Sequence, residues 1–275
     1  SGKYFSLKNK ICLLTGGGGF LAQYHAEAII ENGGSVILAD VNESCLQKMV
    51  GLLRSKFKNE HCCKGVTMDV TDPSSIKKSL LDTPKIDILI NNAALDPKVT
   101  KNRSNNELQC RFENMSLEYW RKGLDVIVNG TFLVSQAVVN KMIQTKTKGV
   151  ILNIASDLSV IAPDQRIYRQ DNLKEQEQMV KPITYSAAKH AVVGMTKYLS
   201  VYLASQNIRV NALSPGAVFK EDMPEDFIKK ICNLIPMDRM ASAHEYKGAV
   251  AFLCSNASSY LTGQNISVNG GRDVW

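Results

Sequence analysis

Short apolar runs and helical patterns alternate along the whole chain, and this alternation restricts the fold more than any other feature. "KICLLT" (10–15), "SVILAD" (35–40), "GVTMDV" (65–70), "IDILIN" (86–91), "GVILNIAS" (149–156), "IRVNALSP" (208–215) and "QNISVNG" (264–270) read as seven strands. Helical patterns lie between most of them, at 21–34, 42–58, 73–82, 116–143, 184–206 and 242–254. Strand–helix–strand repetition builds a parallel sheet with helices on both faces. The strands are apolar at nearly every position, as strands covered on both sides must be. The expectation is one α/β domain spanning 1–275. Two segments break the rhythm, 94–115 and 157–183. Both follow the carboxyl ends of strands, where open α/β sheets bind ligands.

The stretch "CLLTGGGGFLAQYHAEAII" (12–30) sits between the first strand and the first helix. It fits G-x-G-x-x-G/A as Gly17, Gly19 and Ala22, and equally T-G-x-x-G-x-x-G/A as Thr15, Gly16, Gly19 and Ala22. Glycine allows positive φ and close approach of backbone to a pyrophosphate, and the helix start offers free N–H groups. Asp40 ends the second strand, about 20 residues on, where a carboxylate accepts both ribose hydroxyls of NAD. The same charge would repel the 2′-phosphate of NADP, and no Arg or Lys lies at 16–23 or 41 to reverse that preference. The fold expected is therefore of the Rossmann type, with NAD as cofactor.

"ITYSAAKHAVVGMTKYLS" (183–200) contains Tyr185-x-x-x-Lys189. On a helix these side chains share a face. An ammonium beside a phenol favours phenolate and makes tyrosine usable as a general acid/base near neutral pH. The spacing alone is common, since Tyr4 and Lys8 match it too. Its place after the fifth strand makes it informative.

With these pieces in view, the chain resembles the short-chain dehydrogenase/reductase family over about residues 8–271. The matching motifs are "TGGGGFLA" (15–22), Asp40, "MDVTD" (68–72), "INNAA" (90–94), "ILNIAS" (151–156), "YSAAK" (185–189), "IRVNALSPG" (208–216) and "LTGQNISVNGG" (261–271). The resemblance implies hydride transfer between nicotinamide and an alcohol or ketone carbon. It implies that Ser156 holds the substrate oxygen, that Tyr185 is the acid/base and that Lys189 assists it and binds the nicotinamide ribose. It assigns cofactor contacts to Thr15, Gly16, Gly19, Phe20, Leu21, Asp40, Val41, Asp69, Val70, Asn91, Ala93, Ala94, Pro215, Gly216 and Val218.

One departure concerns the chemistry. Similar proteins read L-D-V-N-L-x-G-x-F where this chain has "LDVIVNGTF" (124–132). Ile127 stands in place of an Asn that supports a proton-relay water. Asn129 is two residues on, roughly 200° around a helix, and replaces it only across a local bulge. Either the relay is rearranged, or catalysis is slow, or the chain binds cofactor without efficient turnover.

The segment "DLSVIAPDQRIYRQDNLKEQEQMVKP" (157–182) is an insertion relative to ordinary members. Its "APDQRIY" resembles a subgroup found among bacterial surface-sugar (legionaminic acid-type) pathways. Gln165, Arg166 and Tyr168 offer a guanidinium fork and further donors, so a sugar, sugar phosphate or nucleotide sugar is expected. Arg166 has a structural alternative, an ion pair with Asp164 or Asp157. The polar loop argues against steroids and acyl chains, while another polyol remains a rival substrate. Residues 217–241 read as a mobile lid with one short helix. Arg239 in it suits either an anionic substrate or a structural role, and His190 suits a helix surface.

Composition removes other classes. A formal charge of +7 is mild and scattered, without the aromatic platforms of a nucleic-acid surface. Seven irregularly spaced cysteines suit a reduced, cytoplasmic protein. In "EHCCKG" (60–65), strand neighbours point to opposite faces, so no metal is expected there. No apolar run reaches membrane length. Helices 116–143 and 184–206 carry apolar residues on several faces, and in similar proteins they form a homodimer, usually within a homotetramer.

Overall fold

A computed structural model describes residues 2–95, 110–171 and 173–275. After a single turn at Gly2–Phe5 come β1 (Ile11–Thr15), α1 (Phe20–Glu31), β2 (Ser35–Asp40), α2 (Glu43–Phe57), β3 (Cys63–Thr67), α3 (Pro73–Ser79) and β4 (Ile88–Asn91). Then follow α4 (Leu117–Gln144), β5 (Val150–Ile154), α5 (Ile183–Tyr202), β6 (Arg209–Pro215), α6 (Glu225–Cys232), α7 (Lys247–Cys254) and β7 (Asn265–Val268). All strand pairs are parallel, in the order β3-β2-β1-β4-β5-β6-β7. The order reverses between β1 and β4, which opens a crevice at their carboxyl ends.

Alternating side chains explain the two helical layers. Cys12, Leu14, Val36, Leu38, Ile88 and Ile90 face one core with α1 and α7. Leu13, Ile37, Ala39, Leu89 and Ile151 face the other, packed by α3 and α4. Helix ends follow local chemistry: Asn42 caps α2 by accepting from Cys45 N–H, and α1 gives way to Gly33 at φ +89°.

Three expectations shift. The third strand spans Cys63–Thr67 rather than 65–70, because its register sets Val36 against Cys63 and Asp40 against Thr67. Cys62 therefore precedes the strand, and both thiols enter one core with their sulfurs 3.9 Å apart. Residues 157–183 are not a plain loop either. Gln178, buried, accepts from Gln170 N–H and donates to the Gln170 and Leu173 carbonyls, each at 2.8 Å. Of the other long segment, 96–109 lies outside the described residues.

Helix α4 contains a π-helical turn at Asp125–Asn129. The bulge exists, yet Asn129 stays exposed and donates to Asp125 Oδ1 at 2.6 Å. Ile127 is buried against Ala155, Ala188 and Val192, with Tyr185 packed on the same cluster. Helix α4 is long and apolar enough to cross a membrane, but Val134, Val138 and Met142 along it are fully buried in the fold.

Candidate active site

The carboxyl end of the sheet carries a cleft of about 400 Å³. The glycine turn forms one wall. Gly16 has φ +63°, and a Cβ there would stand 2.9 Å from Ala93 Cα. Gly17 N–H donates to the Ala39 carbonyl, and a Cβ on Gly17 would meet Leu38 Cβ at 2.8 Å. Only glycine lets the chain pass between the ends of β2 and β4 here. Gly19 leads into α1 without a side-chain cap, so the first N–H groups of a 12-residue helix are left for a ligand. Asp40 lines the cleft, its carboxylate held by Gly18 N–H and Asn42 N–H, each at 2.9 Å. An uncapped helix start, a cradle that a Cβ would fill and a carboxylate beyond it fit a dinucleotide.

Asn92 secures this wall. Its Nδ2 donates to the Thr15 carbonyl at 3.0 Å, and Thr15 Oγ1 accepts from Asn92 and Ala93 N–H at 3.0 and 3.1 Å. Thr15 and Ala93 thus back the turn rather than line the cleft. Asn91 is also behind it. Its Nδ2 donates to Ser135 Oγ and Asn153 Oδ1, and Asn153 donates to Thr196 on α5. This buried chain fixes α5 against β4 and β5. A close crossing helps: a Cβ on Gly123 would stand 2.8 Å from Thr184 Cβ.

Ser156, Tyr185 and Lys189 all line the cleft, as do Gly16, Gly19, Phe20, Leu21, Ala94, Pro215, Gly216 and Val218. Lys189 is buried, donates to the Ile154 carbonyl at 2.6 Å and lies 5.6 Å from the Tyr185 ring centroid. Ser156 Oγ donates to Asp157 Oδ1 at 2.9 Å. Asp157 Oδ2 in turn accepts from Arg272 Nη1 at 2.6 Å. Asp157 and Arg272 both line the cleft and are both buried.

Two of the three predicted substrate donors lie elsewhere. Arg166 forms an ion pair with Asp164 at 2.6 Å, its side chain 82% exposed, outside the cleft wall. Asp164, two positions away, lies within reach of the guanidinium, and the pair sits outside the cleft wall. Gln165 instead binds the Lys181 backbone. Tyr168 does line the cleft, packed on Phe227 of α6. Val41 is exposed, Asp69 closes its own turn by accepting from Thr71, and Val70 packs where Gly130 has no Cβ. None of these three lines the cleft. Arg239 is paired with Glu245, and His190 Nδ1 meets the Ser186 carbonyl on an exposed face.

The expected lid is packed down. Ile167 and Tyr168 of the insertion join Phe227, Ile231, Ile235 and Met240 in one apolar cluster, and Lys230 donates to the Arg169 carbonyl at 2.7 Å. The substrate end consequently has an apolar wall of Leu158, Met223, Phe227 and Met240, which the polar sequence of the insertion did not suggest. Asp157, Arg272, Asn92 and Lys181 are cleft residues that sequence reasoning missed. Asn92 alone carried a signal, inside "INNAA".

A doubly wound sheet with this glycine turn and a Ser–Tyr–Lys set in one cleft defines a dinucleotide-binding oxidoreductase. The family model described as Enoyl-(Acyl carrier protein) reductase matches residues 21–273. An NAD-dependent glycerol dehydrogenase of Listeria innocua is 30% identical, covering 99% of this chain and 97% of its own. A 3-oxoacyl-[acyl-carrier-protein] reductase of Aquifex aeolicus is 31% identical over 96% of this chain and 98% of its own. A short-chain dehydrogenase of Leptospira borgpetersenii, solved with bound NAD+, superposes with a TM-score of 0.79 at 29% identity, covering 99% of this chain and 95% of that one. The chain belongs to the short-chain dehydrogenase/reductase family, enzymes that interconvert alcohols and ketones with a nicotinamide dinucleotide.

Proposed function

We propose that the chain is an NAD(H)-dependent oxidoreductase acting on an alcohol or ketone of a hydroxylated, carbohydrate-type substrate. The observation that carries this reading is the convergence of Ser156, Tyr185 and Lys189 with the glycine turn and Asp40 in one cleft. Nicotinamide, when bound, supplies or accepts the hydride. Tyr185 Oη gives or takes the proton of the substrate oxygen, and the Lys189 ammonium beside the ring favours its ionised form. Ser156 Oγ orients that oxygen. Asp40 supports NAD over NADP by charge repulsion of a 2′-phosphate. The NAD-dependence in the name of the Listeria relative agrees with this.

The paired Asp157 and Arg272 in the cleft wall support a substrate with several hydroxyl groups. The "APDQRIY" segment supports a surface sugar among these. The apolar wall of Met223, Phe227 and Met240 favours a second reading, an acyl-type ketone. Seven free cysteines support a reducing, cytoplasmic setting. Exposed Phe132 on α4 and Tyr198, Val201 and Tyr202 on α5 support a homodimer or homotetramer through these helices.

The test is nucleotide oxidation or reduction by the purified chain with sugars, sugar phosphates and an acyl-thioester ketone. Turnover of a sugar with NAD(H) supports the reading. Turnover of the acyl ketone alone replaces it with the second. NADH binding without turnover of any of them favours the rival reading, a cofactor-binding chain without efficient turnover, over both.

A further inference from the structure

Lys181 is the last residue but one of the insertion after β5, four residues before Tyr185 and outside the helix that carries it. Lys181 Nζ lies 4.1 Å from the Tyr185 ring centroid, nearer than Lys189 Nζ at 5.6 Å. Its backbone is clamped at both polar groups. Gln165 Nε2 donates to the Lys181 carbonyl at 3.1 Å, and Lys181 N–H donates to Gln165 Oε1 at 2.9 Å. Gln178 braces the middle of the same segment, and Pro182 then sets the entry into α5. The insertion is a built arm, and its fixed end is a lysine in the cleft wall.

Tyr185 also packs on Ile127, Ala155, Ala188 and Val192. Apolar packing disfavours a phenolate, and a cation over the ring offsets that cost. We propose that Lys181 is a second cation on Tyr185, positioned by Gln165, and that with Lys189 it stabilises the ionised phenol. The other charged side chains lining the cleft, among the described residues, are Asp40 at the end of β2, Asp157 on the segment after β5, Arg272 after β7, and Lys220 and Asp222 before α6. Asp157 and Arg272 are paired with each other, so their fields largely cancel at the ring. The proposal rests on Tyr185 as the proton-transfer group.

The test is an ultraviolet titration of tyrosinate in the full chain without cofactor. Subtracting the Tyr185→Phe titration isolates Tyr185 from the other tyrosines. Lys181→Met is expected to move the Tyr185 transition up by about one pH unit, a tenfold loss of phenolate at a given pH. Lys181→Arg restores it. Gln165→Ala, which frees the clamp and keeps the lysine, moves it part of the way and carries the test if Lys181→Met does not fold. A transition that Lys189→Met moves and neither Lys181→Met nor Gln165→Ala moves overturns the role of Lys181 and leaves the acid/base reading standing. A parent Tyr185 that titrates with the surface tyrosines overturns both.

Discussion

Arg272 and Asp157 form an ion pair with 7% and 5% of their side chains exposed, and the second Asp157 oxygen accepts the Ser156 hydroxyl. The chain of contacts runs from the C-terminal segment to the cleft. It fixes the direction of the Ser156 proton, because a carboxylate can only accept. Removing either charge strands the other in the wall. Arg272→Leu is expected to cost about 3 kcal/mol of stability and Asp157→Asn a similar amount, read by denaturant unfolding. The double variant should recover most of that stability. Turnover should stay at least about tenfold down in it, because the Ser156 hydroxyl has lost its orientation. Full activity in the double variant would show that the pair serves folding alone.

Tyr185→Phe keeps the ring and removes the proton. It is expected to lower kcat by about 100-fold or more while leaving the NADH dissociation constant within about twofold. Ser156→Ala should reduce turnover in the same way without loss of NADH affinity. Substantial activity in Tyr185→Phe would transfer the proton step to another group.

Thermal unfolding separates the cofactors. A ligand at about 100 times its dissociation constant adds about 2.7 kcal/mol, a shift of several degrees at this size. NADH is expected to shift the midpoint more than NADPH at equal concentration. Asp40→Ala should narrow the difference. A larger shift with NADPH in the parent chain would mean that Asp40 does not repel the 2′-phosphate.

His25 is fully buried on α1, and neither ring nitrogen has a partner among the described residues. Burial lowers its pKa from 6.5 to about 4. Between those values the unfolded chain binds a proton that the folded chain refuses. Stability therefore falls as pH drops from 6.5 toward 4, by up to about 3 kcal/mol. His25→Phe should flatten this part of the stability profile measured by urea unfolding. A profile equally steep in the variant would place the acid sensitivity elsewhere.

The seven strands, their helices and the glycine turn were legible because their signals are local. A buried strand needs consecutive apolar residues, a helix needs its period, and the glycine turn shows in its place between them. The Tyr185–Lys189 pair was legible for the same reason, one helical turn apart. The substrate end was not. Arg166 stood in the right segment, but it pairs with Asp164 and its side chain is exposed outside the cleft wall. The apolar wall comes from a lid helix folded onto Ile167 and Tyr168, and neither stretch shows that packing by itself.

What the sequence by itself determined is the parallel sheet, the dinucleotide turn and the Tyr185–Lys189 pair, because short-range sterics and side-chain periodicity specify them; the role of Ser156 is what the family resemblance implies. What only the tertiary structure decided is the lining around the reacting groups. Asp157 and Arg272 stand 115 positions apart, and Gln165 and Lys181 stand 16 apart. Partners at such separations meet only after the sheet has set the ends of its strands and the connecting segments have packed across them. Their contacts depend on that three-dimensional path rather than on any local pattern of residues.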